Sequence, residues 1–599
     1  MATNPSIQKT DLVSFEVKVS GNSISDSISV LSIEIDFSIN RVANARVVVL
    51  DGDAATGTFQ VSSSNTFKPG NTITIYGGYQ SQNKLLFSGI IVNQNIRTNP
   101  TEGSVLEVWC RDQAIATTVG RKSAMFTNKT DSDVISTILG NYSGIKASVV
   151  TTSNQIPQLV QYYTGDWDFI LSRAEANSLV VSNVNGTIAV IDPTANTDPV
   201  LNLEYGTDIL EFNGDLNAVY QLGNVKASAW DYATQEVISG EASNTLAGAG
   251  NLSSDSLSKV IGLETFQLQS SAALDQAALN GWSKAQMIKS EFSKIRGEVK
   301  CQGNSLVTLG NYIALSGLGD RFNGSHFVSG VFHDISDGNW ITEVTFGLSP
   351  QWFTEAPDIM APPAAALLPG IQGLFTATVK KMYEDPDAQY RILVDVPFLG
   401  TSGEGLWARL GTFYATSNAG AFFLPEVGDE VVVGFLNEDP RYPIILGSLY
   451  SSDKLKPYQD LEPNEKNTIK AIVSKSGIQM TFDDENKIFT ILTPQKNTIV
   501  LSDKDQKITI QDQNENSIVL SSDGIVIKSP KDITVEADQN LNLKGTQGVS
   551  IASSAGDITI NGMNIKESAE VEYSAEGSAS ASVQGGGELT LKGAMVMIN

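Results

Sequence analysis

The stretch GAFFLPEVGDEVVVGFLNEDPRYPIILGSLY, Gly420–Tyr450, sets four carboxylates among apolar strand-like runs: Asp429, Glu430, Glu438 and Asp439. Read as chemistry, it is an acidic active site. Read as structure, it is a small barrel with two tight reversals. The spacing favours structure. Gly428 and Asp429 are turn formers between Pro425 and the run that starts at Glu430. Asp429 and Glu430 are adjacent at a strand start, so their side chains diverge to opposite faces. Asp439 precedes Pro440, and Pro443 restarts an edge strand. Hydrolysis by paired carboxylates needs two groups converging across one bond, and this spacing does not offer that.

Working outward, the all-β segment containing this stretch begins near Ile371. Before it, EAPDIMAPPAAALLPG (Glu355–Gly370) carries four prolines and reads as an extended linker. After it, the polar SSDKLKPYQDLEPNEKN (Ser451–Asn467) reads as a second connector.

Residues 12–110 read mostly as strands, alternating or running apolar between Gly, Asn and Asp. Helices are expected from DSDVISTILG, capped by Asp131 and stopped at Gly140, from TGDWDFILSRAEANS, capped by Thr164, and over Ser271–Ser293. Strands return from Ile295 to Phe346. A repeat is visible: GNTITIYG (Gly70–Gly77) matches GNYIALSG (Gly310–Gly317), and LFSGII (Leu86–Ile91) matches FVSGVF (Phe327–Phe332). The same hairpin is therefore expected twice, in two related β-barrels at about 12–110 and 295–350 with helical parts between.

From about Ile469 the pattern changes. Apolar pairs flank a single residue, as in Ile499/Leu501, Ile508/Ile510, Ile525/Ile527, Ile533/Val535, Leu541/Leu543, Val549/Ile551 and Ile558/Ile560. These are expected to be very short strands, each with one buried face. A two-residue face cannot close a core, and short strands leave unpaired edges. Either several copies wrap around one axis or a single chain winds as a solenoid; periodicity does not separate the two. Beyond Glu567 the chain is rich in Ala, Ser and Gly, as a narrowing shaft would be, and ELTLKGAMVMIN regains alternation up to Asn599.

The chain has 599 residues, room for about three to five domains. Its formal net charge of −26 is unsuited to nucleic acid or anionic membranes, which need clustered cations. MATNPSIQKT lacks the apolar core of a signal peptide, and no run approaches the length of a membrane span. The two cysteines, Cys110 and Cys301, do not make a disulfide framework. There is no GxxxxGK[ST] and no GxSxG, and GLGDRFNG reads as a turn between strands. The two histidines, His326 and His333, are seven apart and face opposite ways if their strand is continuous. No catalytic residue, cofactor or metal site is expected.

Leu406–Tyr450 closely resembles the VgrG family, the spike proteins of contractile injection systems. The residues that carry the resemblance are Trp407, Arg409, Leu410, Pro425, Val427, Gly428, Asp429, Glu430, Val431, Val433, Phe435, Asp439, Pro440, Pro443, Ile444, Ile445 and Gly447. Glu438 departs from it, since many members have Gly there. YYTGDWDFILSRAEANSLVV and VSGVFHDISDGNWITEVTFGL resemble phage tail hub proteins, and the C-terminal repeats are similar to the family's intertwined β-helix.

This resemblance implies a mainly β chain of three parts. They are a hub-like double barrel with helical insertions (1–365), an OB-fold barrel (366–455) and an intertwined trimeric β-helical spike (456–599). It implies a non-enzymatic homotrimer that joins a hexameric inner tube and baseplate proteins to a needle. Met595, Val596, Met597, Ile598 and Asn599 would either dock a PAAR-type tip protein or close the last β-helical layer, and effectors would be further partners. It also implies synthesis in the bacterial cytoplasm, assembly in a phage-tail-like particle and expulsion on contraction. The slot where a phage relative carries a lysozyme holds only Ser451–Asn467 here, and the chain stops on strand sequence, so neither an inserted nor a trailing enzyme is expected. A peptidoglycan- or polysaccharide-degrading enzyme and a trimeric receptor-binding fibre are the alternatives. The diverging carboxylates weigh against the first and the hub-like N-terminal part against the second.

Overall fold

The computed structural model describes residues 2–5, 11–99, 103–357, 359–400, 404–451, 454–458 and 464–598. The chain is mainly β, 39% strand against 11% helix. It divides into two compact units, one up to Leu449 and one from Tyr450 onward.

The first unit is built on a 13-stranded sheet. Ten of its strands fall into two sets. The first is β2 (Val30–Ser38), β3 (Asn44–Leu50), β4 (Thr72–Gly78), β5 (Lys84–Asn99) and β6 (Gly103–Arg111), with β1 (Ser14–Val19) added beside β4. The second is β7 (Ile209–Leu216), β8 (Ile295–Gln302), β9 (Tyr312–Ser316), β10 (Gly324–Ser336) and β11 (Asn339–Phe346). The spatial orders are β2–β3–β6–β5–β4 and β7–β8–β11–β10–β9, so both sets have one connectivity. Every neighbouring pair within them is antiparallel. The sets are joined where β10 pairs with β2, from Gly330↔Ser38 to Ser336↔Ser32. Their inward side chains share one core that includes Ile33, Ile35, Val47, Phe87, Leu106, Val299, Val331 and Val344.

The repeat read from the sequence holds at its turns. Gly70 N donates to Ile91 O (2.8 Å) and Ile91 N to Asn71 O (2.9 Å); Gly310 N donates to Val328 O (3.1 Å) and Val328 N to Asn311 O (2.9 Å). Gly70 and Gly310 both have positive φ, +99° and +80°, which favours glycine there. The second strand is a correction. Matching LFSGII to FVSGVF sets Ile91 against Phe332, whereas the hydrogen bonds set it against Val328. A β-bulge confirms this, breaking register between Ile91 and Asn93 in β5 and between Val328 and Gly330 in β10.

Helices lie along the chain between β6 and β8. Helix α1 (Asp131–Leu139) is capped by Thr130, not Asp131: Asp133 N donates to Thr130 Oγ1 (3.2 Å) and Thr130 N to the Asp133 carboxylate (3.4 Å). Helix α2 (Asp166–Ala176) starts after Gly165, without a side-chain cap from Thr164. A third helix, α3 (Ser254–Ile261), is capped by Ser253 and was not anticipated, and α4 (Gln276–Phe292) begins at its cap Asp275, later than expected. The proline-rich Glu355–Gly370 stretch is not a free linker: Ala364 is fully buried, and Arg121 donates to Met360 O (3.0 Å).

A closed barrel follows in the same unit, from β12 (Phe375–Lys381), β13 (Ile392–Asp395), β14 (Leu406–Leu410), β15 (Glu430–Phe435) and β16 (Pro443–Ser448). Val379, Ile392, Val394, Ala408, Val431, Val433 and Ile445 fill it, each at most 1% exposed. Each aliphatic side chain larger than Ala contributes about 1.5–3 kcal/mol by leaving water.

The second unit is a seven-stranded antiparallel meander running from Ile469–Val473 to Gly524–Lys528. Among the described residues no strand follows Lys528. The single chain thus does not by itself form the short strands expected at Ile533/Val535, Leu541/Leu543, Val549/Ile551 and Ile558/Ile560. Nor is one face buried: those eight side chains are 53–70% exposed. A strand is defined by the backbone that pairs with it, and one chain supplies no partner there.

Candidate functional site

Three of the four carboxylates of Gly420–Tyr450 lie in two turns, and Glu430 starts a strand. Asp429 accepts from Glu426 N (2.8 Å), closing the reversal, and Gly428 takes φ +95°. The turn is stitched to β12 by Gly428 N donating to Val379 O (2.8 Å) and Val379 N to Asp429 O (2.9 Å). Glu430 lies on β15 opposite Thr378. At the second turn Asp439 accepts from Arg441 through its amide (3.0 Å), Nε (3.0 Å) and Nη2 (2.7 Å). That guanidinium holds the Asp439 carboxyl below the usual range. Glu438 accepts from Ile371 N through its carbonyl (2.8 Å) and from Gln372 through its carboxylate (3.2 Å). Asp429 and Asp439 are thus tied within their own turns, while Glu430 starts β15 and Glu438 is held by Ile371 and Gln372.

The remaining barrel signature residues are spread around the same wall. Trp407 pairs with Leu393, and the Arg391 guanidinium lies 6.0 Å from its ring centroid. Arg409 pairs with Ile444, and Gly447 with Val432. Phe435 meets Phe375 edge-on at 5.7 Å, and Pro443 pairs with Phe435. Pro425 and Pro440 flank the two turns. Sequence reading missed a third reversal, EDPDAQYR (Glu384–Arg391). There Asp385 accepts from the amides of Asp387, Gln389 and Arg391 and from the Arg391 guanidinium, which pulls its carboxyl well below the usual range. The Asp-Pro-Asp run ahead of a strand was the available signal.

Neither histidine is placed for proton transfer. The bulge in β10 puts His326 and His333 on one face, not two: Val328 opposes Phe346 and Gly330 opposes Thr345, so the alternation flips between them. His326 meets Phe322 O at 2.7 Å and His333 meets Thr342 Oγ1 at 3.0 Å. Burial pushes both down to about 4, leaving neutral imidazoles at pH 7. Cys110 and Cys301 are free, and burial pushes both thiols up to about 12. Among the described residues no group of three or more His, Cys, Asp or Glu could hold a metal ion.

Beside His326 lies a cavity of about 340 Å³ with an ion pair in its wall that the sequence did not announce. Lys294 Nζ is 2.8 Å from Glu291 Oε1, and their side chains are 2% and 4% exposed. Glu291 Oε2 accepts from Ser254 Oγ (2.6 Å) and Asn244 Nδ2 (2.8 Å).

At the end of the chain Met595, Val596, Met597 and Ile598 are 53–86% exposed. Asn599, grouped with them from the sequence, lies outside the described residues.

Comparison with known proteins adds the family. The family model "Alg8 N-terminal domain" matches residues 9–337, more than half of the chain. The chain belongs to the Alg8 N-terminal domain family. In this Alg8-type chain a second model, "Type VI secretion system/phage-baseplate injector OB domain", matches residues 375–450. That match contains the segment whose motifs resemble VgrG. The type VI secretion system spike protein VgrG1a of Pseudomonas aeruginosa is 33% identical over 78 residues, 13% of this chain and 12% of that protein. The type VI secretion system spike protein VgrG3 of Vibrio cholerae is 29% identical over 127 residues, 20% of this chain and 12% of that protein. The aligned stretch thus spans about an eighth of these curated relatives. Among solved structures, the 43 kDa tail protein of prophage MuSo2 from Shewanella oneidensis superposes with TM-score 0.44 at 11% identity, covering 56% of this chain and 98% of that one. At that level the likeness adds no weight.

Proposed function

We propose that this chain is a structural spike protein of a bacterial contractile injection system and has no catalytic role. Three copies would form a hub beneath a hexameric inner tube, an OB collar within the baseplate and a β-helical needle. The observation that carries this is the side-chain exposure of the C-terminal unit. From Ile533 to Ile560 the apolar pairs recur regularly, yet on one chain they lie open to solvent. Such a pattern is stable when other copies close each strand's edges and cover its apolar face. The injector OB match at 375–450 supports the collar. The shared connectivity of the two strand sets supports two related barrels per chain, which in a trimer give a pseudo-sixfold ring suited to a hexameric tube.

On this reading Met595–Ile598 form a docking surface for a PAAR-type tip, and the assembled particle expels the needle on contraction. Native mass spectrometry of the full chain tests the proposal: trimers are expected, and a monomer or any other closed state would overturn it.

A further inference from the structure

Two strand edges in the first unit stand open, and the fold itself shows what closes edges of this kind. The outer edge of β7 has no strand partner among the described residues. In β5, β4 covers the run from Lys84 to Ile90, and beyond Ile91 the edge away from β6 has no strand partner either. In the other repeat the equivalent edges are paired to each other, since β2 corresponds to β7 and β10 to β5. The registers carry the equivalence residue by residue. Ile91 corresponds to Val328, so their partners Cys110 and Phe346 correspond. The partners of those, Ala45 and Gly297, correspond in turn, and so do Ile35 and Gly214. The junction within one chain sets His333 opposite Ile35. Its counterpart sets Ile96 opposite Gly214.

We infer that Gln94–Asn99 of one copy pairs antiparallel with the β7 edge, Glu211–Leu216, of a second copy, in the register Ile96↔Gly214 and Arg97↔Asn213. Side-chain chemistry agrees with that register. Ile96, 46% exposed in the single chain, falls over a glycine between the half-buried Phe212 and Leu216 on the core face. On the outer face Arg97 falls diagonally between Glu211 and Asp215, within reach of a cross-strand ion pair. The Arg97 side chain is 54% exposed and lies 3.8 Å from Glu107 of its own chain. The two edges are different surfaces, so the contact is head-to-tail. Because it repeats the junction already made inside each chain, it continues one sheet around a ring. This rests on the trimeric hub reading and specifies how the hub closes.

The test is disulfide trapping in the full chain. Arg97→Cys with Asn213→Cys should give covalent dimers and trimers on non-reducing gels, and either substitution alone should give none. Cys110 and Cys301 do not interfere, being fully buried. Asn95→Cys with Glu211→Cys is the register control, since the proposed pairing separates those sites by about 13 Å along the strand. Native mass spectrometry of the uncrosslinked protein is run in parallel. Trapping of the first pair alone supports the proposal. A trimer with no trapping, or trapping of the control pair, overturns the edge pairing and leaves the trimer standing. A monomer without trapping overturns both. Trapped chains longer than trimers support the edge pairing and overturn closure at three.

Discussion

Glu291→Gln should destabilise the first unit more than any change on its surface. The substitution removes the charge that faces Lys294 at 2.8 Å while the ammonium stays 2% exposed. At an effective dielectric near 20 the attraction across that distance is about 6 kcal/mol. Desolvation of both groups offsets much of it, and breaking a buried pair from one side costs about 3–5 kcal/mol. Glutamine keeps an acceptor for Ser254 and Asn244, so the loss isolates the uncompensated charge. Lys294→Met removes the other partner, and the double variant leaves no buried charge at all. Guanidinium unfolding of the two single variants, the double and the parent gives a double-mutant cycle. The double should recover about 2–4 kcal/mol relative to the sum of the singles. Single losses that simply add would refute the reasoning, showing that the pair does not act as a unit.

Asp429→Ala should lower barrel stability by about 1 kcal/mol through loss of the bond from Glu426 N, and Asp429→Asn by less; calorimetry reads both. Asp385 and Asp439 have folded-state carboxyls held below their unfolded values by Arg391 and Arg441. Their contribution is therefore present above the ordinary carboxylate range and lost as pH falls through the folded values. Melting temperature between pH 7 and pH 3 should fall at the acid end, and fall less steeply in Asp385→Asn. Leu543→Asp replaces a side chain that is 70% exposed on one chain, so it should leave the first unit unchanged and abolish trimers on native mass spectrometry. Deleting Leu591–Asn599 should abolish co-purification of a tip protein, and unchanged co-purification would end the docking idea.

Much of the architecture was legible in the residues. The Gly-Asn turn occurs twice because both copies need a glycine at positive φ, and that constraint leaves a letter in the sequence. The second strand of the repeat was misaligned for an equally physical reason. Setting Ile91 against Phe332 instead of Val328 carries the match across the bulge between Val328 and Gly330, where the in–out alternation flips, and the apolar residues on both faces there hide the slip. The bulge that turns His326 and His333 to one face adds a residue without altering the local composition. At α1, Thr130 and Asp131 are both competent caps. Which one serves depends on where the chain leaves the strand Lys122–Thr130.

Local chemistry settled the reversals at Gly428–Asp429 and Asp439–Pro440, the β character of the chain and the recurring apolar pairs of the C-terminal part. Those features depend on backbone preference and on side-chain alternation, which act between neighbours along the chain. The tertiary structure decided the rest: that both strand sets share one connectivity, that β10 joins β2, and that Gln94–Asn99 and β7 are left without strand partners on one edge among the described residues. Those outcomes depend on which distant segments meet, and pairing partners separated by hundreds of residues leave no periodic trace in the sequence.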